Sequence, residues 1–123
     1  MSTQLTYTIV LCYNFAREWL DKTREERKRF EKDYVAPILV KYDGRLRRRA
    51  YDAEAYTAEF SDFMIIDTED LPAYYFMIEE LRQSPLFTSG LATIEKIFMG
   101  IEDGYHTFEQ ATGQGAQHAI VTV

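Results

Sequence analysis

The sequence contains very few of the residues that build disulfides and metal sites. Among its 123 residues there are one cysteine, two histidines, three prolines and six glycines. A single cysteine cannot form an internal disulfide, so nothing indicates an oxidising compartment. The two histidines show no ligand spacing, and we expect neither a metal nor a cofactor. Because Cys12 lies within an apolar run, we expect it to be a small buried hydrophobic residue.

The sequence also lacks a long hydrophobic run and an excess of positive charge. No apolar run approaches the roughly 20 residues that span a membrane, and no hydrophobic segment follows a basic start. The formal net charge is −6, whereas nucleic-acid binders usually rely on a basic surface. P-loop, dinucleotide and nucleophile-elbow motifs are missing too. These absences favour a soluble cytoplasmic protein that binds neither nucleic acid nor membrane.

What the sequence does contain is three short segments that are apolar on both faces. They cover residues 7–13, 63–66 and 97–101. A strand with one wet face alternates polar and apolar residues, whereas a continuous apolar run indicates burial on both sides. Aromatic residues make up 15% of the chain and include nine tyrosines. Tyrosine suits interfaces and semi-polar clefts as well as cores.

Capping signals predict two long helices and some shorter turns. The first helix opens on a capping box between Thr23 and Glu26 and reaches residue 41. Pro37 lacks an N–H, so we expect a kink or break near residues 33–37. The second helix follows Asp70, a good N-cap, and extends to residue 83. Shorter turns are predicted after Asn14 as N-cap, at Pro85 after Ser84 as N-cap, and over residues 105–111.

The order of elements predicts the fold class. It is strand, helix, strand, strand, helix, strand, which with right-handed crossovers gives an α+β ferredoxin-like βαββαβ sandwich in sheet order 4-1-3-2. RNA-recognition domains share this order, but residues 61–67 contain no glycine and no basic residue, so we reject that reading. We predict one domain over residues 1–108 and a flexible tail over 109–123, whose end can add an edge strand. The four strands are predicted over residues 4–13, 45–51, 62–67 and 93–102.

This architecture leaves one face of the sheet without a cover. Two helices can cover one face, yet the strand pattern indicates that both faces are dry. The simplest cover for the second face is another copy of the same chain. We therefore predict a homodimer that associates through the open sheet face.

The only dense cluster of charge lies on the predicted second strand. Arg47, Arg49 and Tyr51 share one face of this strand, and guanidinium groups bind carboxylates bidentately. Together with Tyr7 they form our candidate ligand-binding cleft. Charged residues also protect an edge strand from aggregation, and this structural explanation stays open.

Candidates for catalysis are few. His106 follows Asp103 by three residues and is a weak candidate for a general base that a carboxylate orients. Asp52 and Glu54 form one pair of acids at a strand end, and Glu102 and Asp103 form another. Acid–base work would require proximity and perturbed pKa values, so we interpret these acids as solvated loop residues.

Six segments of the sequence resemble the darcynin family of small bacterial proteins. The resemblance covers roughly residues 4–108. The segments are QLTYTIVLCYNF at 4–15, YDAEAY at 51–56, SDF at 61–63, YFMIEELR at 75–82, SPLF at 84–87 and GIEDGY at 100–105.

The resemblance implies a ferredoxin-like subunit of the dimeric α/β-barrel kind. It brings no assigned activity and therefore no catalytic residues. Cofactor-free monooxygenases, lactone isomerases and non-catalytic ligand binders share that architecture, and fold alone does not choose among them. Our functional expectation is a protein that binds or converts a small aromatic or acidic metabolite. The alternative is a non-catalytic dimeric structural or interaction module.

Overall fold

Four antiparallel strands form a single sheet in a computed structural model that describes residues 4–113. The strand order is β2-β3-β1-β4, which confirms the predicted order 4-1-3-2. The two central strands, β1 and β3, contain two of the three apolar runs. This position agrees with the expectation that these two runs are buried on both faces. The strands are β1 (Tyr7–Phe15), β2 (Arg47–Asp52), β3 (Asp62–Thr68) and β4 (Ala92–Ile101).

The register of the strands decides which residues share a face. Ile9 of β1 lies opposite Ile66 of β3 and Met99 of β4. Ile66 is fully buried beneath the helices, so the odd-numbered residues of β1 face the helices and the even-numbered ones face the open side. Between β1 and β4 the register shifts after Cys12, which leaves Glu95 as the extra residue of a bulge.

The first crossover contains three helices and one π-helical turn. The capping box at its start is confirmed, because the Thr23 hydroxyl accepts from Glu26 N at 3.1 Å and Glu26 Oε1 accepts from Thr23 N at 2.8 Å. Near Pro37, where we predicted a kink or break, the chain stays helical from residue 24 to residue 41 but changes to a π turn directly before this proline's helix. The elements are α1 (Arg17–Leu20), α2 (Arg24–Phe30), the π turn (Glu31–Val35) and α3 (Ala36–Lys41).

The second crossover contains the longest helix. Asp70 caps it as predicted, since Ala73 N donates to Asp70 Oδ1 at 3.2 Å. Pro85 opens the next helix directly after Ser84, also as predicted. A last helix follows β4 and continues beyond residue 108, where we had predicted the tail to begin. These helices are α4 (Leu71–Gln83), α5 (Pro85–Thr88) and α6 (Gly104–Thr112).

The core lies between the sheet and the long helices. Ile9 and Leu11 of β1 pack with Ile66 of β3 and with Met77 and Leu81 of α4. A second cluster gathers around Trp19 at the end of the same face. Hydrogen bonds from Lys41 and Tyr42 to Glu80 attach the end of α3 to α4. Within residues 4–113, the helices that contribute to these two clusters all lie on this one face of the sheet.

The structure corrects one predicted cap and leaves part of the chain undescribed. Asn14 does not cap α1: it pairs with Thr93 inside β1, and the helix begins after Ala16. Continued pairing with β4 outweighs the local capping preference. His118 and the predicted edge strand at 119–123 lie outside the described residues. No helix within residues 4–113 is long and apolar enough to cross a membrane.

Candidate functional site

The predicted site residues do not all lie on the same side of the sheet. Arg47, Arg49 and Tyr51 are together on the open face, opposite Asp67, Ile65 and Phe63 of β3 respectively. Tyr7 lies on the other side, where it packs against the core below the helices. The sheet therefore separates Tyr7 from the other three residues.

The two arginines on the open face are already paired within the chain. Arg47 binds Glu69 through two hydrogen bonds, at 3.2 and 2.7 Å, and Arg49 lies 3.7 Å from Asp67. The hydrogen bond from Arg47 lowers the pKa of Glu69 below its ordinary value. Both arginines therefore already have carboxylate partners within the chain, which favours the structural explanation of the arginine cluster.

A cavity of about 230 Å³ lies on the helix side of the sheet. Strands β1, β2 and β3 form its floor, and α1, the π turn, α3, α4 and α5 form its walls. Most of the lining is aliphatic or aromatic. The lining residues are Leu11, Tyr13, Phe15, Trp19, Glu31, Val35, Leu39, Arg48, Ala50, Met64, Leu81, Leu86 and Phe87. His106 is not among them and is exposed on the first turn of α6.

The π turn contributes directly to this cavity. Its first residue, Glu31, and its last, Val35, both line the wall. Pro37 follows two residues later and cannot donate a backbone hydrogen bond, so a wider turn is tolerated here. π-helical turns occur frequently at functional sites, and this one places a carboxylate on an otherwise apolar wall.

Arg48 is the one positively charged residue among those that line the cavity. It lies on the helix side of β2, between the two arginines that face the open side. Its Nη2 donates to Asp43 Oδ1 at 2.9 Å. Its Nε is buried and has no hydrogen-bond partner within residues 4–113. Buried donors normally have a partner, so Arg48 is a polar residue of the lining whose Nε is left unsatisfied.

Tyr13 is another polar residue of the lining, next to a pair of aspartates. It is opposite Asp62 of β3, which is in turn opposite Asp52 of β2. Burial raises the pKa of Tyr13 to about 12, and the negative charges of Asp62, Asp52 and Glu31 add to this effect. The tyrosine is therefore a neutral hydrogen-bond donor at physiological pH.

The aspartate pair lies in a second cavity of about 270 Å³, which shares Phe15 and Trp19 with the first. Burial raises the pKa of Asp62; a hydrogen bond with Ser61 opposes this shift, and the hydrogen bond and charge of Asp52 reinforce it. Arg27 also lines this cavity, and its buried Nε has no partner within the described residues. Among residues 4–113, no group of three or more His, Cys, Asp or Glu side chains could hold a metal ion.

Comparison with known families identifies the chain. A family model described as "Darcynin, domain of unknown function" matches residues 2–122. The chain belongs to the darcynin family. It is 37% identical to Darcynin from Chromobacterium violaceum over 80 residues, which cover 65% of this chain and 100% of that protein. It is 36% identical to Darcynin 1 from Acinetobacter baumannii over 86 residues, covering 70% of this chain and 94% of that one.

Solved structures show the same fold at much lower identity. A heme-binding protein from Thermus thermophilus matches with a TM-score of 0.73 and 17% identity, over 85% of this darcynin-family chain and 44% of that protein. Chlorite dismutase from Candidatus Nitrospira defluvii, in complex with imidazole, matches with a TM-score of 0.67 and 12% identity, over 78% and 39%. The chain thus spans less than half of these proteins, and the likeness concerns the fold alone.

The cavity of this darcynin does not fit heme. At about 230 Å³ it is smaller than the roughly 300–1,000 Å³ of sites for drug-sized ligands, and heme is a large ligand. Axial iron ligands are His, Cys, Met or Tyr. The lining offers neither His nor Cys, and Tyr13 is held in its protonated form. Met64 also lines the cavity, but a methionine binds heme iron together with a histidine, which this lining lacks. We therefore assign no heme chemistry to this site.

The polar residues of the two cavities were not predicted as site residues from the sequence. Arg48 alternates with Leu46 and Ala50, and a charged residue between two apolar ones was the available signal. Asp52 was interpreted as a solvated acid; it is exposed, but it lies opposite Asp62 in the second cavity. The sequence alone does not specify the strand register that brings these two acids together.

Replacing Asp62 with asparagine is expected to raise the melting temperature at pH 7. The raised pKa means that ionised Asp62 destabilises the folded protein. This penalty is absent below the usual aspartate pKa of about 3.9, grows as the pH rises through the higher folded pKa, and is complete above it. The gain from Asp62→Asn should therefore shrink as the pH falls toward 4. Thermal unfolding at several pH values measures it.

The exposed Asp33 provides the matched control. Asp33→Asn removes the same charge from the π turn and should leave the melting temperature at pH 7 nearly unchanged. Equal melting temperatures for Asp62→Asn and the unmodified protein across this pH range would contradict the conclusion that ionised Asp62 destabilises the folded protein.

Proposed function

We propose that this protein binds a small, mainly apolar aromatic molecule in the cavity between its sheet and its helices. The observation that carries the proposal is the cavity itself, which is lined by apolar groups with a few polar groups among them. This composition is typical of small-molecule sites. The open-face arginines support the proposal less well, because carboxylates of the same chain already pair with them.

The size of the cavity limits the ligand. An apolar cavity of about 150 Å³ is sufficient for benzene, so about 230 Å³ suits a single substituted ring. Four aromatic side chains line the cavity, and aromatic rings favour offset or edge-to-face contacts with a bound ring. They are Tyr13, Phe15, Trp19 and Phe87.

We also propose that the protein is a homodimer that associates through the open sheet face. The centre of that face is apolar: Val10, Phe63 and Ile65 are half-buried, and the Phe98 side chain is 53% exposed. The ion pairs of Arg47 and Arg49 lie toward one end of the same face. An apolar centre with a polar rim is the usual composition of a protein interface.

Blocking the mouth of the cavity provides the test of ligand binding. Ala50 lines the cavity yet is exposed, so Ala50→Phe adds a ring without opening the core. We expect p-xylene to shift the methyl resonances of cavity residues in the unmodified protein, and Ala50→Phe to weaken this binding at least tenfold. NMR titration measures the dissociation constants.

Ala58→Phe is the control, because it adds the same ring to an exposed loop position. It should bind p-xylene as the unmodified protein does. The competing hypothesis is a non-catalytic dimeric module without a ligand, which the open apolar face also suits. That hypothesis predicts no saturable shift with p-xylene or with any ring of similar size.

A further inference from the structure

Arg48 combines a charge with a hydrogen-bond donor that is left without a partner. Asp43 holds one end of its guanidinium group. The Nε is buried, and no acceptor within the described residues reaches it. A buried donor without a partner destabilises the folded protein. Arg48 also lines the cavity, so an acceptor that enters with a ligand can interact with its guanidinium group through a nitrogen other than the buried Nε.

The charges around this cavity are predominantly negative. Asp43 lies 2.9 Å from Arg48 and compensates its positive charge. Glu31 is a second carboxylate, on the cavity wall. The charges of Asp62, Asp52 and Glu31 all act on Tyr13, another polar residue of the lining. A ligand with a negative charge would therefore be repelled, although an arginine is present.

We infer that the cavity takes a neutral aromatic compound that carries an oxygen acceptor, and that Arg48 binds this oxygen. The inference rests on the proposed function and narrows the class of ligand. A carbonyl, ether or hydroxyl oxygen can accept from the guanidinium group without adding a negative charge. A carboxylate would accept equally well but would face Glu31 and the compensating Asp43. Of the aromatic or acidic metabolites that the sequence suggested, the acidic ones are thus disfavoured, and aryl ketones, ethers and phenols are favoured.

Three probes of similar size test this inference on the unmodified protein. Acetophenone carries a neutral acceptor, benzoate carries a charged one, and ethylbenzene has none. We expect acetophenone to bind roughly tenfold more tightly than ethylbenzene, in line with one hydrogen bond to a charged donor. Benzoate should bind more weakly than acetophenone. NMR titration at low ionic strength gives all three dissociation constants.

A pair of variants on neighbouring residues isolates the role of Arg48. Arg48→Met keeps much of the side-chain length but loses the donors, so the ratio of the acetophenone and ethylbenzene affinities should fall to about one. Arg49→Met is the matched control, since Arg49 faces the opposite side of the sheet, and it should change neither affinity.

The possible outcomes separate the inference from the proposed function. Tightest binding by benzoate, or equal binding of acetophenone and ethylbenzene, would overturn the inference and leave the proposed cavity in place. Retention of the acetophenone advantage in Arg48→Met would overturn the role of Arg48. Absence of binding by all three probes would overturn the proposed function and the inference with it.

Discussion

Replacing Ile66 with alanine is expected to lower the free energy of unfolding by about 2–5 kcal/mol. Ile66 lies on the central strand β3 and is 0% exposed. It packs in the cluster that joins β1 to α4, so the lost methyl and methylene groups leave a space that neighbouring side chains cannot fill without moving. Urea unfolding, followed by circular dichroism, measures the change.

Ile97→Ala is the control for this prediction, because it makes the same chemical change on the edge strand β4. Ile97 is 45% exposed, so less apolar surface is lost from the core and the expected cost is below about 1 kcal/mol. Equal costs at both positions would contradict the placement of the core between the sheet and the helices. A cost at Ile66 below that at Ile97 would contradict it more strongly.

The sheet order was predictable from the sequence because the order of elements, with right-handed crossovers, specifies it. The apolar runs alone would not have specified it, since the third run lies on the edge strand β4. The helix starts were predictable because Thr23 and Asp70 satisfy backbone N–H groups locally. Asn14 was wrongly predicted to be a cap. It pairs in the sheet with Thr93, which is distant in sequence, so the local pattern does not show this pairing. Pro37 indicated a kink or break in this helix, but a proline alone does not specify the π turn that precedes it.

The candidate site was harder to predict because both faces of the central strands are dry. The alternation on β1 correctly groups Tyr7 with Ile9 and Leu11, yet alternation does not say which group faces the helices. The structure places Tyr7 on the helix side and Arg47 on the open side. When polarity does not distinguish the faces, only strand register and the position of the helices can do so.

The alternation on β2 also separates two roles that the sequence places side by side. Arg47 and Arg49 face the open side, where they form ion pairs at the end of an apolar surface. Arg48 faces the cavity on the helix side. Ligand binding and self-association would therefore use opposite faces of the sheet. A variant on one face can disrupt one property while it leaves the other measurable.

Replacing Ile65 with aspartate is expected to convert the proposed dimer to monomers. Ile65 lies opposite Val10 at the centre of the open face, and a buried carboxylate without a partner costs several kcal/mol. Because each 1.4 kcal/mol changes a dissociation constant about tenfold, the dimer should weaken at least about a hundredfold. Sedimentation velocity over a range of protein concentrations measures this constant.

Ile97→Asp is the matched control for this variant, because it introduces the same charge on the other side of the sheet. Ile97 lies opposite Leu11, on the helix side, so the open face keeps its apolar centre and the dimer should persist. Unchanged p-xylene binding by Ile65→Asp would show that the cavity survives in the monomer. A dimer that tolerates aspartate at residue 65, or an unmodified protein that sediments as a monomer at every concentration, would exclude the open face as the interface.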